Sequence, residues 1–122
     1  MQPPSTAEEI EIKMKATRAS LTSAVKENKP EIVKQLIQEI NDHTTNRLIS
    51  SVNIALYLAA GIGHTDCLVE LLKANDMNVN KTDNNGMAAL HYAAMFGKID
   101  CLNELLKTKG INVNEKNNFS GH

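Results

Sequence analysis

The residues that could support chemistry in this sequence are its two cysteines and two of its histidines. His64 and Cys67 are three positions apart, so a helix would place both on one face, in the arrangement of a pair of metal ligands. Cys101 could take part in redox chemistry, and His91 could act as a general base. The alternative for the cysteines is structural, as small apolar residues of a helical core.

Several observations argue against chemistry. One His–Cys pair falls short of the four ligands of a structural zinc site. The sequence assembles no nucleophile with a base and an orienting acid, and no glycine-rich phosphate loop precedes a helix. The sequon at residues 118–120 would be glycosylated only in a secreted protein, and residues 1–11 lack the pattern of a secretory signal. We therefore expect no metal, no cofactor and no enzymatic activity.

Composition indicates one globular domain that is soluble. The chain has 122 residues, 42% of them hydrophobic, and a formal net charge of −1. It has no cluster of lysine and arginine that would bind nucleic acid and no apolar run long enough for a membrane span. Aromatic residues make up 3%, so the core must be built from small and aliphatic side chains. We expect an intracellular protein, in the cytoplasm, with the nucleus and a host cell as open alternatives.

An internal repeat positions the cysteines. When residues 55–80 are aligned with residues 89–114, 15 of 26 positions are identical, and Cys67 coincides with Cys101. An identity of this extent, without gaps, indicates at least two copies of one structural unit.

Each copy is predicted to contain two helices and an extended loop. Apolar residues at i, i+3 and i+4 within 90–94 form one face of a first helix, which Gly97 ends by adopting a positive φ. A second apolar stripe covers residues 101–106 and includes a cysteine at a small apolar position. The Asp-Asn-Asn-Gly run at 83–86 predicts a tight turn. Two short helices bury little surface alone, so the copies must stack.

A weaker copy lies upstream, between residues 21 and 37, with Pro30 at the favoured first position of its second helix. Before it, Ser5 and Thr6 followed by two glutamates predict a capped helix that begins at about Thr6. The predicted organisation is an N-terminal capping helix over 1–19, a degenerate repeat over 20–53, a repeat over 54–87, and a repeat with the start of a further one over 88–122.

Residues 86–97, Gly-Met-Ala-Ala-Leu-His-Tyr-Ala-Ala-Met-Phe-Gly, resemble the ankyrin repeat signature Gly-x-Thr-Pro-Leu-His-x-Ala-Ala-x-x-Gly. Residues 79–86 resemble its Val-Asn-x-x-Asp-x-x-Gly hairpin. The resemblance covers about residues 20–122. It implies an all-α fold, an ankyrin-repeat solenoid of stacked helix-turn-helix units with hairpin loops. It also implies that His91 is structural, hydrogen-bonding within and between repeats.

The sequence departs from the signature where the helices begin. Ala88 and Ala89 occupy the positions of the Thr-Pro pair, and Ile54 and Ala55 occupy the same positions one repeat earlier. In that earlier repeat Tyr57 replaces the signature histidine. We expect weaker helix caps, each typically worth about 1 kcal/mol. The last repeat lacks a polar terminal cap, so we expect it to fray.

The resemblance implies a module that binds another protein, with no nucleic-acid or membrane partner. In this family the two residues before the helix-ending glycine face the concave surface. Phe96 is therefore either an anchor for the partner or a plug against the adjacent repeat. We predict that the partner contacts hairpin tips and concave first-helix positions, namely Ser51, Asn53, Ile62, Thr82, Asn84, Asn85, Met87, Met95 and Phe96.

Two other functions stay open at this point. One is a targeting or regulatory fragment of a larger multidomain enzyme or secreted effector. The other is an enzyme in its own right, which a pocket with a perturbed acid or base would support. We expect a monomer, with end-to-end contact through the uncapped C-terminal repeat as the alternative.

Overall fold

The computed structural model describes residues 7–43, 48–75, 77–108 and 110–111. Within these ranges the chain forms six helices and no strand, as three successive pairs. The helices are α1 (Ala7–Lys26), α2 (Pro30–His43), α3 (Ile49–Ile62), α4 (Thr65–Leu71), α5 (Ala89–Met95) and α6 (Ile99–Lys107).

The three pairs stack in chain order. The first helices α1, α3 and α5 pack side by side, and the second helices α2, α4 and α6 pack in the same order behind them. The second pair therefore has a neighbour on each side. The predicted all-helical stack of helix-turn-helix units is confirmed.

The core between the helices consists of small and aliphatic side chains. Alanines on the inner sides of α3 and α5 are fully buried, among them Ala55, Ala59 and Ala93. Because alanine has only a methyl side chain, neighbouring helices approach closely there. Larger side chains such as Leu56 and Leu105 fill the spaces between the layers.

A residue with left-handed backbone conformation follows the first helix of each pair. The φ angle is +56° at Asn28, +95° at Gly63 and +67° at Gly97. The predicted role of Gly97 is thus confirmed. Asn28 has the same conformation in the first pair, because asparagine tolerates this region better than other residues with a side chain.

A hydrogen bond closes each of these turns. The amide that follows the left-handed residue donates to a carbonyl five positions back, as in a Schellman motif. The three bonds are Lys29 N to Ala24 O at 2.8 Å, His64 N to Ala59 O at 3.1 Å, and Lys98 N to Ala93 O at 2.8 Å.

Two helix boundaries differ from the predicted divisions of the chain. The predicted start of α1 at about Thr6 lies outside the described residues; α1, described from Ala7, continues through the boundary between residues 19 and 20. α3 begins at Ile49, well before Ala55, the counterpart of the first residue of α5. The Gly and Thr-Pro that would restart a helix there are absent, so α3 extends backwards across the boundary between residues 53 and 54. No side chain caps α3 at Leu48.

Two glycines near the end of α3 predict opposite effects of alanine. Gly61 lies within the helix, and a Cβ there would make ordinary contacts of 3.6 and 3.7 Å with the Phe96 ring. Gly61→Ala should therefore raise the free energy of unfolding by up to about 1 kcal/mol, measured in urea.

Gly63→Ala should lower the free energy of unfolding by about 1–2 kcal/mol, since φ is +95° and the Cβ would lie 2.8 Å from Lys98 Cδ.

Gly97→Ala is the matched control, because its φ is +67° and a Cβ there would meet nothing within 4 Å. Gly97→Ala should lower the free energy of unfolding only because alanine disfavours the left-handed backbone conformation. A Gly63→Ala variant as stable as the wild type would show that the left-handed turn is not required.

The stacking order predicts a gradient of protection along the chain. Leu71 and Leu105 are fully buried counterparts in α4 and α6, but within the described part of the chain only α4 packs against a second helix on both sides. The amide of Leu71 should exchange more slowly than that of Leu105 in hydrogen-exchange measurements on the monomer. The reverse order would contradict the stack as the source of stability.

Candidate functional site

A groove of about 630 Å³ runs along the first helices and meets the loop before α5. Its lining is mainly apolar and aromatic, with one lysine and one aspartate. The lining residues are Thr22, Lys26, Ile54, Tyr57, Leu58, Gly61, Ile62, Asp83, Tyr92 and Phe96.

Two tyrosines from neighbouring helices meet in the groove. The rings of Tyr57 and Tyr92 lie 5.7 Å apart between centroids, tilted by 38°. The Tyr57 hydroxyl donates to the Lys81 carbonyl at 2.7 Å, and the Tyr92 hydroxyl donates to the Asp83 carboxylate. The pair therefore fastens the loop before α5 to the helices behind it.

Asp83 organises the tip of that loop. Its Oδ1 accepts the amides of Asn85 at 2.9 Å and Met87 at 3.0 Å. Its carbonyl accepts the Gly86 amide, and its own amide donates to the Met87 carbonyl, both at 3.0 Å. The predicted tight turn at 83–86 is present, held by side chain and backbone together.

The titration behaviour of this cluster follows from its bonds. Partial burial raises the pKa of Asp83, but the bonds from Tyr92, Met87 and Asn85 outweigh it, and the net pKa is lowered. The bond to Asp83 raises the pKa of Tyr92. Burial, with smaller contributions from Asp83 and Tyr92, raises the pKa of Tyr57 to about 12. Both phenols thus stay protonated donors at neutral pH.

The predicted contact residues fall in different places. Ile62 and Phe96 both line the groove, where Phe96 is 54% exposed and one edge of its ring lies over Gly61. Asn84 and Asn85 are exposed at the loop tip. The structure places three others outside the groove lining: Ser51 and Thr82, which are half-buried, and Met95, which is exposed.

Two of the predicted contact residues are buried, so their side chains are not accessible to a partner in this structure. Asn53 is 2% exposed because the extended α3 turns it inward, where its Nδ2 donates to the Ile49 carbonyl at 3.3 Å. Its Oδ1 has no hydrogen-bond donor among the described residues. Met87 is also buried, at 3% exposure, and its backbone amide and carbonyl are both bonded to Asp83 in the turn.

Sequence reasoning missed most of the groove lining. Ile54, Leu58 and Ile62 are four residues apart on α3 and share one face, as do Thr22 and Lys26 on α1. The four-residue spacing of these side chains could have been recognised in the sequence as one helix face. The position of Tyr92 beside Tyr57 could not, because it depends on how neighbouring repeats pack.

Comparison with known proteins agrees with this architecture. The model of the family described as ankyrin repeats, in three copies, matches residues 21–117. The chain belongs to the ankyrin repeat family. No curated protein and no solved structure matches it. Ankyrin repeats are generally protein–protein interaction modules, typically without catalytic function.

Two histidines of the ankyrin repeats bind backbone groups. His91 Nδ1 accepts the amide of Ala88 at 2.8 Å, which satisfies a free donor at the start of α5 in the absence of Thr-Pro. His64, which follows Gly63 between α3 and α4, lies 2.6 Å through Nδ1 from the Val25 carbonyl of the preceding repeat. Since a carbonyl only accepts, this contact requires a proton on Nδ1.

The cysteines have equivalent environments in successive ankyrin repeats. Both are buried and free of disulfides. The Cys67 thiol lies 4.0 Å from the Ala24 carbonyl, and the Cys101 thiol lies 3.7 Å from the Ala59 carbonyl. Burial raises the pKa of both thiols, so neither has the thiolate character of a reactive cysteine.

The described part of the ankyrin stack contains neither a membrane-spanning helix nor a cluster of metal ligands. No helix there is long and apolar enough to cross a membrane. No group of three or more His, Cys, Asp or Glu side chains in those same ranges could hold a metal ion.

The lowered pKa of Asp83 predicts acid sensitivity. A carboxyl whose folded pKa lies below its unfolded value of about 3.9 stabilises the fold above that value, and the contribution is lost as pH falls through the folded pKa. Tyr92→Phe removes one donor to Asp83. The melting temperature of this variant should therefore fall less between pH 6 and pH 3 than that of the wild type.

Tyr57→Phe is the control, because its hydroxyl bonds to Lys81 and not to Asp83. It should keep the wild-type difference between the two pH values. Equal acid sensitivity of all three proteins would assign the effect to other carboxyls.

Proposed function

We propose that this ankyrin stack binds a partner protein in the groove along its first helices, with Phe96 and Ile62 as apolar contacts. The observation that carries the proposal is a large aromatic side chain, 54% exposed, in an open and mainly apolar groove. Contiguous exposed apolar surface marks interaction sites more reliably than single exposed residues do.

The groove is formed by elements that are already fixed. Ile62 and Phe96 lie at the ends of two packed helices, and the Tyr57–Tyr92 pair ties the loop to them. A surface that is ordered before binding loses less conformational entropy when the partner arrives.

Exposed amides at the loop tip complete the proposed contact surface. Asn84 and Asn85 can donate and accept hydrogen bonds beside the apolar groove, and Thr82 precedes them in the same loop. Asp83 is committed to the turn itself. The proposal does not include Asn53 and Met87, because both are buried.

Phe96→Ala tests the groove as the binding surface. The variant should lose about 2 kcal/mol or more of binding energy if Phe96 is a hot spot. Its melting temperature should change little, because much of the ring is exposed. The measurement is affinity capture from lysate with the full chain, wild type and variant, with captured proteins quantified by mass spectrometry, followed by thermal melts.

Leu106→Ala is a matched control, since Leu106 is also a large exposed apolar residue but lies on α6, away from the groove. It should leave capture unchanged. If Phe96→Ala lowers the melting temperature and captures the same proteins as the wild type, Phe96 is a packing residue and the groove proposal fails.

A further inference from the structure

One cation in the groove has no counter-ion among the residues that the structure describes. Lys26 lines the groove at the end of α1, and no ion pair in the described ranges involves it. The carboxylate beside it in sequence, Glu27, lies 2.9 Å from the Lys29 ammonium. The other carboxylate of the lining, Asp83, accepts hydrogen bonds from Tyr92 and two amides.

The charge that α1 contributes to this surface is positive, and Asp83 in the loop is the one carboxylate among the lining residues. Thr22 lines the groove, and Arg18 and Lys26 are one turn before and after it on the same face of α1. The neighbouring first helices α3 and α5 contain no Asp, Glu, Lys or Arg at all. The groove therefore combines an apolar floor with a basic edge on α1.

Building on the function proposed above, we propose that the groove takes a partner segment in which large apolar side chains are flanked by Asp or Glu. The apolar side chains would contact Ile54, Leu58 and Phe96. A carboxylate next to them would meet Lys26 and Arg18. A basic segment would bring like charges together at this edge, which disfavours binding.

Selection from a random peptide display library tests this chemistry without knowledge of the partner. The full-length chain is the target, beside two variants with the same change of charge. Lys26→Glu alters the groove, and Lys34→Glu alters the opposite side of the first pair, where Lys34 lies with Glu31 and Asp66. The affinity of the selected peptides for the wild type, for both charge variants and for Phe96→Ala is then measured by fluorescence anisotropy at several salt concentrations.

The expected result is enrichment of Asp and Glu beside aromatic or aliphatic residues for the wild type and for Lys34→Glu. Lys26→Glu should lose that enrichment and bind the selected acidic peptides about tenfold more weakly. Their affinity for the wild type should fall as salt rises.

The other outcomes contradict either the acidic partner, the groove as the binding surface, or both. Peptides that need Phe96 but are neutral or basic would contradict the acidic partner and leave the proposed function standing. Peptides that bind Phe96→Ala as well as the wild type would contradict the groove as the binding surface. An absence of any selected peptide would count against both.

Discussion

The carbonyl groups of Ala24 and Ala59 take part both in the turn within a helix pair and in the stacking of that pair against the next one. Each accepts the amide that closes the left-handed turn after the first helix. Each also lies 4.0 Å or less from the cysteine thiol of the next pair. A thiol is small and a weak donor, so it fits against a carbonyl where two helices pack closely. The turn and the spacing of the stack thus depend on the same atoms.

The groove follows from this arrangement. Because each turn returns the chain in the same way, α1, α3 and α5 lie side by side with their ends aligned. The Phe96 ring then lies over Gly61 of the preceding repeat, and Tyr92 meets Tyr57. The Tyr57 hydroxyl, at the signature histidine position, reaches the Lys81 carbonyl instead. A departure from the ankyrin signature is used here to hold the loop that borders the groove.

The sequence predicted the parts of the fold that have local signals. Repeated identities and Gly97 identified the helix pairs, and Pro30 marked the start of α2. Asn28 was missed, because asparagine adopts the left-handed conformation only where the surrounding turn requires it. The early start of α3 was missed because the absence of a stop signal is hard to recognise. The inward positions of Asn53 and Met87 depend on that helix extension and on the bonds made by Asp83, which no single motif encodes.

Exposed apolar residues of the third pair must be interpreted by their place in the stack. Met95 is the counterpart of Gly61, and Ile99 is the counterpart of Thr65. In the second pair these two positions face the third pair, since Gly61 lies under Phe96 and Thr65 Oγ1 lies 3.5 Å from the Cys101 thiol. Met95 and Ile99, 55% and 61% exposed, therefore lie on the outer stacking face of the last described pair. Their exposure reflects that position and gives no support to a partner site in the groove, whereas the exposure of Phe96 and Ile62 within the groove lining does.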